Sequence, residues 1–273
     1  MIRRVFKNLA VEEGAIPEAS AALERDGYVV LRSVFDTATV HAIVDDIERV
    51  FDTFPAERSR PDRAEFRYEM LNRSAPCHAA VGTQAILSVI EPLLGDDCHV
   101  IANTAWRNPP DFGGGLWHCD AGPHVPRPEG VPWDDRIPYP VFAIGAHLFL
   151  RDCVRADGPT AVLPGSHRSG QMPPIDRLND PDLTYEGREP VTVEAAAGDV
   201  ALFVSDVWHR GLPAGGGGRG RMFLQAHYGR RDIAQRIRTT DVVNHLSPDA
   251  IARATTPRER ALAGLHDPFF YDA

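Results

Sequence analysis

Leu116-Trp117-His118-Cys119-Asp120 is the stretch from which the rest of the chain is read. It sets an imidazole and a carboxylate two residues apart, and in extended backbone i and i+2 point to the same face. His118 and Asp120 therefore reach toward one metal ion. Gly113-Gly114-Gly115 just before them permits close approach of backbone or ligand. Alone, a His-x-Asp triplet is also what a surface turn contains. A third donor comes from Asp206-Val207-Trp208-His209-Arg210-Gly211. Ahead of it, Gly198-Asp199 makes a turn and Val200-Ala201-Leu202-Phe203 a buried strand that delivers His209 to a cavity rim. A satisfied core histidine is the plainer account of His209 by itself. Cys119, at i+1, points to the opposite face and is not expected as a ligand.

The surrounding chain reads as short strands separated by Gly, Pro and Asp. Candidate strands are 98–105, 115–119, 140–150, 160–163, 190–194, 199–204 and 221–228. That spacing predicts a mainly β fold with flanking helices, its core a double-stranded β-helix of the jelly-roll or cupin type. The helices lie mostly before it. An amphipathic helix over 18–26 stops at Asp26-Gly27 and a strand Tyr28-Val29-Val30-Leu31 follows. Helices over about 36–54 and 79–94 carry apolar residues at spacings of three and four. Residues 55–64 read as a loop. Ser247-Pro248 opens a last helix over 247–263. The 273 residues are read as one domain: helical to about 97, β core over about 98–230, helical again from 231.

Arg221 opens the last alternating strand. By parity Arg221, Phe223, Gln225 and His227 share one face, while Met222, Leu224, Ala226 and Tyr228 share the other. A guanidinium among Phe and Gln on an inward face needs an anion, and its planar fork matches a carboxylate. A strand-edge arginine with its head in water is the alternative. Two histidines and a carboxylate with an open opposite face suit iron(II), a bidentate ketoacid and O2. Together with the clamp they point to an Fe(II)/2-oxoglutarate-dependent oxygenase. Two rivals stay open: a ketoacid-independent cupin-type metalloenzyme, which has no need of Arg221, and a catalytically silent metal- or ligand-binding protein.

A formal net charge of −9 with no basic block argues against nucleic acid. The four cysteines form no CxxC pair, so free thiols are expected. The start, Met1-Ile2-Arg3-Arg4-Val5-Phe6-Lys7, lacks an apolar signal region, and no run of about 18 apolar residues occurs. The expectation is a cytoplasmic chain with a small-molecule substrate, no membrane partner and an oligomeric state the residues do not specify.

With these residues in hand, the chain resembles the phytanoyl-CoA dioxygenase family. Asp26-Gly27-Tyr28-Val29-Val30-Leu31 is similar to the family's N-terminal strand, and Trp117-His118-Cys119-Asp120 to its HxD motif. Asp157-Gly158-Pro159-Thr160-Ala161-Val162-Leu163-Pro164-Gly165-Ser166-His167 resembles its Asn-Gly to Pro-Gly-Ser-His segment. Gly198 through Gly211 resembles the distal-histidine strand. The resemblance implies His118, Asp120 and His209 on iron and Arg221 on the far carboxylate of 2-oxoglutarate. It also implies that His147, where many members have Trp, lines the ketoacid site, and that Thr160 faces it. Asp120 argues for hydroxylation or another oxidation, since related halogenases lack the carboxylate.

Residues 121–140 hold six prolines directly after two proposed ligands. A long loop of this kind inside a compact domain is usually functional or disordered. The expectation is a lid, with Trp133 shielding the metal and Arg127 or Arg136 meeting a substrate anion; a rigid surface loop or oligomer contact is the alternative. Arg67, in Arg67-Tyr68-Glu69-Met70-Leu71-Asn72-Arg73, is expected on the facing wall, with helix-connecting packing as the alternative.

Overall fold

The computed structural model describes residues 15–55, 64–120, 122–234 and 245–266. Two antiparallel sheets face each other in the expected jelly-roll manner. The larger sheet has six strands: β1 (Tyr28–Leu31), β2 (Glu65–Arg67), β3 (His99–Arg107), β4 (Ala143–Phe149), β7 (Val200–Val204) and β9 (Met222–Gly229), in the order β1-β7-β4-β9-β3-β2. The smaller sheet is β6-β5-β8, from β5 (Thr160–Val162), β6 (Val191–Val193) and β8 (His209–Gly211).

The period-2 pattern separates two environments. Val200, Leu202 and Val204 of β7, Ile144, Ala146 and Leu148 of β4, and Met222, Leu224, Ala226 and Tyr228 of β9 face one way into the main core. Helices α1 (Ala15–Asp26), α2 (Thr37–Thr53), α4 (Ala75–Val81) and α5 (Gln84–Leu94) supply the other half of that core. Ala201, Phe203 and Phe149 point the other way and pack with Val162, Val193 and Val207 between the sheets. Burying both faces removes most of the larger sheet from water, and the hydrophobic effect favours this by roughly 25 cal/mol per Å² of apolar surface.

Local signals account for the helix ends. The Asp36 carboxylate accepts from Thr39 N at 2.8 Å and starts α2. Gly27 ends α1 with φ +82°, and a Cβ there would lie 2.5 Å from His167 Nδ1.

The expected boundaries shift in five places. The helix read over 79–94 is two, bent by 48° at Gly82-Thr83, because Ser74 caps an earlier start through Cys77 N. A short helix, α3 (Met70–Arg73), precedes them. The helix read over 247–263 is also two, α6 (Pro248–Arg253) and α7 (Pro257–Leu262); Thr256 and Glu259 form a capping box that starts the second. β2 lies where no strand was expected, and only residues 55 and 64 of the loop read over 55–64 are described. Residues 115–119 form no strand; His118 makes a single antiparallel bridge to His209, and the strand sits at His209–Gly211 instead. Among the described residues no single helix is long and apolar enough to cross a membrane.

Candidate metal centre

His118 and His209 are joined through their own backbones: each N–H donates to the other's carbonyl at 3.0 Å. Asp120 N donates to Ser205 O at 3.0 Å, which sets the carboxylate beside them. The Asp120 Oδ1 atom lies 3.8 Å from His118 Nε2 and 3.5 Å from His209 Nε2. One donor atom from each of the three falls within 4.8 Å of the others, the one such group of three among the described residues. Cys119 turns away and its thiol donates to Asp206 O.

The same backbone fixes the imidazoles. His118 Nδ1 is 2.8 Å from Leu116 O and His209 Nδ1 is 2.9 Å from Val207 O. A carbonyl can only accept, so each Nδ1 carries the proton and each Nε2 keeps its lone pair toward the cluster. Asp120 Oδ2 accepts from His227 Nε2 at 2.7 Å, while Oδ1 faces the two other imidazoles. The His118 side chain is 47% exposed at the cavity mouth; desolvation by the surrounding protein, with His209 adding to it, lowers its pKa. Burial opposes charge on Asp120 too, but His209 and His227 hold its pKa well below the ordinary value. For His209 burial is likewise outweighed by Asp120, and its pKa is raised. The donor set of two imidazole Nε2 atoms and one ionised oxygen fits iron(II).

The cluster opens into a cavity of about 450 Å³ between the sheets. Arg221 lies in its wall, 7% exposed. Its Nη1 donates to Thr160 Oγ1 at 2.7 Å, its Nε has no partner, and it forms no ion pair with any described carboxylate. Burial lowers its pKa to about 10, so it stays cationic at neutral pH. Gly211 makes room for it, since a Cβ there would lie 2.9 Å from Arg221 Nη2 and 2.9 Å from Phe112 Cε1. His147 lines the same cavity among Phe203, Phe223 and Phe149. Burial drives its pKa well down, and its Nδ1 has no partner. A buried guanidinium without an ion pair to a described carboxylate and an unpartnered ring nitrogen, beside three candidate metal donors, fit an anionic chelating cosubstrate such as 2-oxoglutarate.

The remaining expected residues lie elsewhere. Arg67 is buried, but its guanidinium is spent on the carbonyls of Phe51, Phe54 and Phe66; its neighbour Tyr68 lines the cavity instead. None of Arg127, Trp133 and Arg136 lines the cavity. Arg127 donates to Arg168 O, Trp133 packs on Tyr139 at 5.1 Å, and the 90% exposed Arg136 side chain pairs with Asp134. Their loop is pinned to the Asp206 carboxylate by His124 and by the Tyr139 hydroxyl at 2.9 Å. The sequence reading missed Trp106, Thr104 and Asn108 in the wall, and the part His227 plays. Alternation put His227 inward; that it meets Asp120 depends on how a loop docks on the sheet.

The chain is 26% identical over 265 residues to the uncharacterized protein Rv1501 of Mycobacterium tuberculosis (strain ATCC 25618 / H37Rv), covering 92% of this chain and 88% of that one. Among solved structures, it is similar in fold to SnoN, a non-heme alpha ketoglutarate dependent epimerase from nogalamycin biosynthesis. That match has TM-score 0.62 and 20% identity, over 81% of this chain and 85% of SnoN. HygX from Streptomyces hygroscopicus, solved with nickel, 2-oxoglutarate and hygromycin B, matches with TM-score 0.62 and 15% identity over 83% of this chain and 92% of HygX. Residues 23–222 match the family Phytanoyl-CoA dioxygenase (PhyH). The chain thus belongs to the phytanoyl-CoA dioxygenase family, whose enzymes depend on non-haem iron and 2-oxoglutarate.

Proposed function

We propose that the chain oxidises a small-molecule metabolite or natural-product intermediate, most simply by hydroxylation, with 2-oxoglutarate converted to succinate and CO2. The carrying observation is one cavity that holds three mutually facing donors and an unneutralised buried Arg221. His118, Asp120 and His209 would hold the iron; when bound, that ion activates O2 at the expense of the ketoacid. Arg221 and Thr160 would grip the far carboxylate, and His147 would offer Nδ1–H to the same molecule. Phe112 and Phe223 line the same cavity and Phe203 packs on His147 and His209, giving these polar groups an apolar surround. The relatives support a small substrate: SnoN has been solved with nogalamycin RO and HygX with hygromycin B. A ketoacid-independent reading leaves a buried cation without a role.

The test is anaerobic titration of the Fe(II)-loaded protein with 2-oxoglutarate, followed by its visible charge-transfer band. A saturable band is expected, and succinate release then serves to screen substrates. Iron bound without any band would sink the ketoacid reading.

A further inference from the structure

Resting on the reading of His118, Asp120 and His209 as metal ligands, we infer that His227 is a positioning residue that commits Asp120 to one-oxygen ligation. Gly145 is the seat that lets it do so.

The two oxygens of a carboxylate are chemically equivalent, and a metal can take one or both. Here they are made different. Oδ1 faces His118 Nε2 and His209 Nε2 at 3.8 and 3.5 Å, while Oδ2 accepts from His227 Nε2 at 2.7 Å. Since a carboxylate only accepts, His227 carries its proton on Nε2. Chelation through both oxygens would break this partly buried bond. It would also consume one of the positions that a bidentate ketoacid and O2 require. His227 thereby keeps the open face open.

The seat is built from small residues. His227 lies opposite Gly145 on β4 and Ala102 on β3. A Cβ at Gly145 would stand 2.9 Å from Phe203 Cε2 and 3.3 Å from His227 Cδ2. Phe203 in turn stacks on the His209 ring, with centroids 5.5 Å apart and planes 25° apart. One missing methyl thus sets the clearance behind two of the three ligands. Space is the reason, since Gly145 is not among the positive-φ glycines.

Co(II) alone is the probe, titrated against a chromophoric chelator, together with the anaerobic Fe(II)–2-oxoglutarate band. His227→Phe is expected to weaken Co(II) about 10- to 100-fold and to shift or bleach the band, with the metal-free protein still folded but lower in melting temperature, since Asp120 loses a donor. His227→Gln keeps an N–H donor and is expected to recover most of the affinity. Gly145→Ala, which leaves the imidazole in place but crowds it, is expected to weaken Co(II) several-fold. Wild-type Co(II) affinity and an unaltered band in His227→Phe would overturn the proposal, as would a Gln variant no better than Phe. If the Phe variant does not fold, Gly145→Ala carries the test, and undiminished Co(II) affinity there overturns it. A wild-type protein that binds no Co(II) overturns the ligand reading, and this proposal with it.

Discussion

Replacing Arg221 by Met should move two observables in opposite directions. The side chain is 7% exposed and its volume is nearly kept by Met. In the metal-loaded protein the loss removes a buried, charge-assisted grip on a carboxylate, which costs about 2–5 kcal/mol. At about 1.4 kcal/mol per tenfold, 2-oxoglutarate affinity should fall about 30- to 4,000-fold. In the ketoacid-free protein the arginine is a liability. Burial lowers its pKa from 12.5 to about 10, which corresponds to a burial cost of about 3 kcal/mol. Against this stand the hydrogen bond to Thr160 at 2.7 Å and the contact with the Phe223 ring at 4.9 Å, each contributing about 1 kcal/mol. The balance favours Met by roughly 1 kcal/mol, a rise of about 2–4 °C in melting temperature for a chain of this size. Charge-transfer titration measures the first effect and thermal unfolding without ketoacid the second. Unchanged 2-oxoglutarate affinity, or a melting temperature that drops by several degrees, would refute the argument that Arg221 is held for an absent anion.

Other outcomes follow from the same geometry. Gly211→Ala puts a methyl 2.9 Å from Arg221 Nη2 and from the Phe112 ring; it should weaken 2-oxoglutarate about tenfold by overpacking and leave Co(II) affinity alone, which isothermal titration checks. Because Asp120 raises the His209 pKa above its ordinary 6.5, metal must displace that proton. Metal affinity should therefore climb as pH rises toward that pKa and level off above it; a flat profile from pH 6 upward counts against the pairing. Burial lowers the His167 pKa to about 4, so below pH 6.5 the unfolded chain takes up a proton that the folded chain refuses. Stability should fall as pH drops from 6.5 toward 4, and His167→Gln should flatten part of that slope. Tyr139→Phe removes one donor from buried Asp206; it should cost about 1–3 kcal/mol and speed proteolysis within residues 122–140.

Much of the fold and centre was legible because it depends on period and on neighbours in sequence. Alternation alone put Phe223, Gln225 and His227 on one face of the last strand with Arg221 at its start; the structure has those three on one face of β9, opposite Trp106, Thr104 and Ala102, with Arg221 just before the strand. Asp36, Gly27 and Ser247 announced helix ends through capping chemistry that needs only local residues. What escaped depends on contacts between distant segments. His118 sits on a lone bridge rather than a strand, since its partner is three residues of β8 that periodicity does not reveal. Arg67 reads as a pocket cation until three carbonyls from neighbouring segments are found around it. The proline-rich loop was read as covering the metal; its docking on Asp206 is a tertiary choice that composition does not encode.

The two histidines take their hydrogen-bond partners from two residues back in their own chains, Leu116 O and Val207 O. Neither imidazole takes this hydrogen bond from a side chain. The hydrogen bonds that orient the two imidazoles are in this sense portable: they travel with their own segments. Walls such as Trp106 and Tyr68, or the proline-rich loop, are then free to drift in sequence as new substrates are accommodated, without retuning either nitrogen donor. The carboxylate is the exception, because Asp120 leans on β9 through His227. Changes in the pocket floor reach Asp120 through that hydrogen bond, and reach His209 through the packing of Phe203 against its ring.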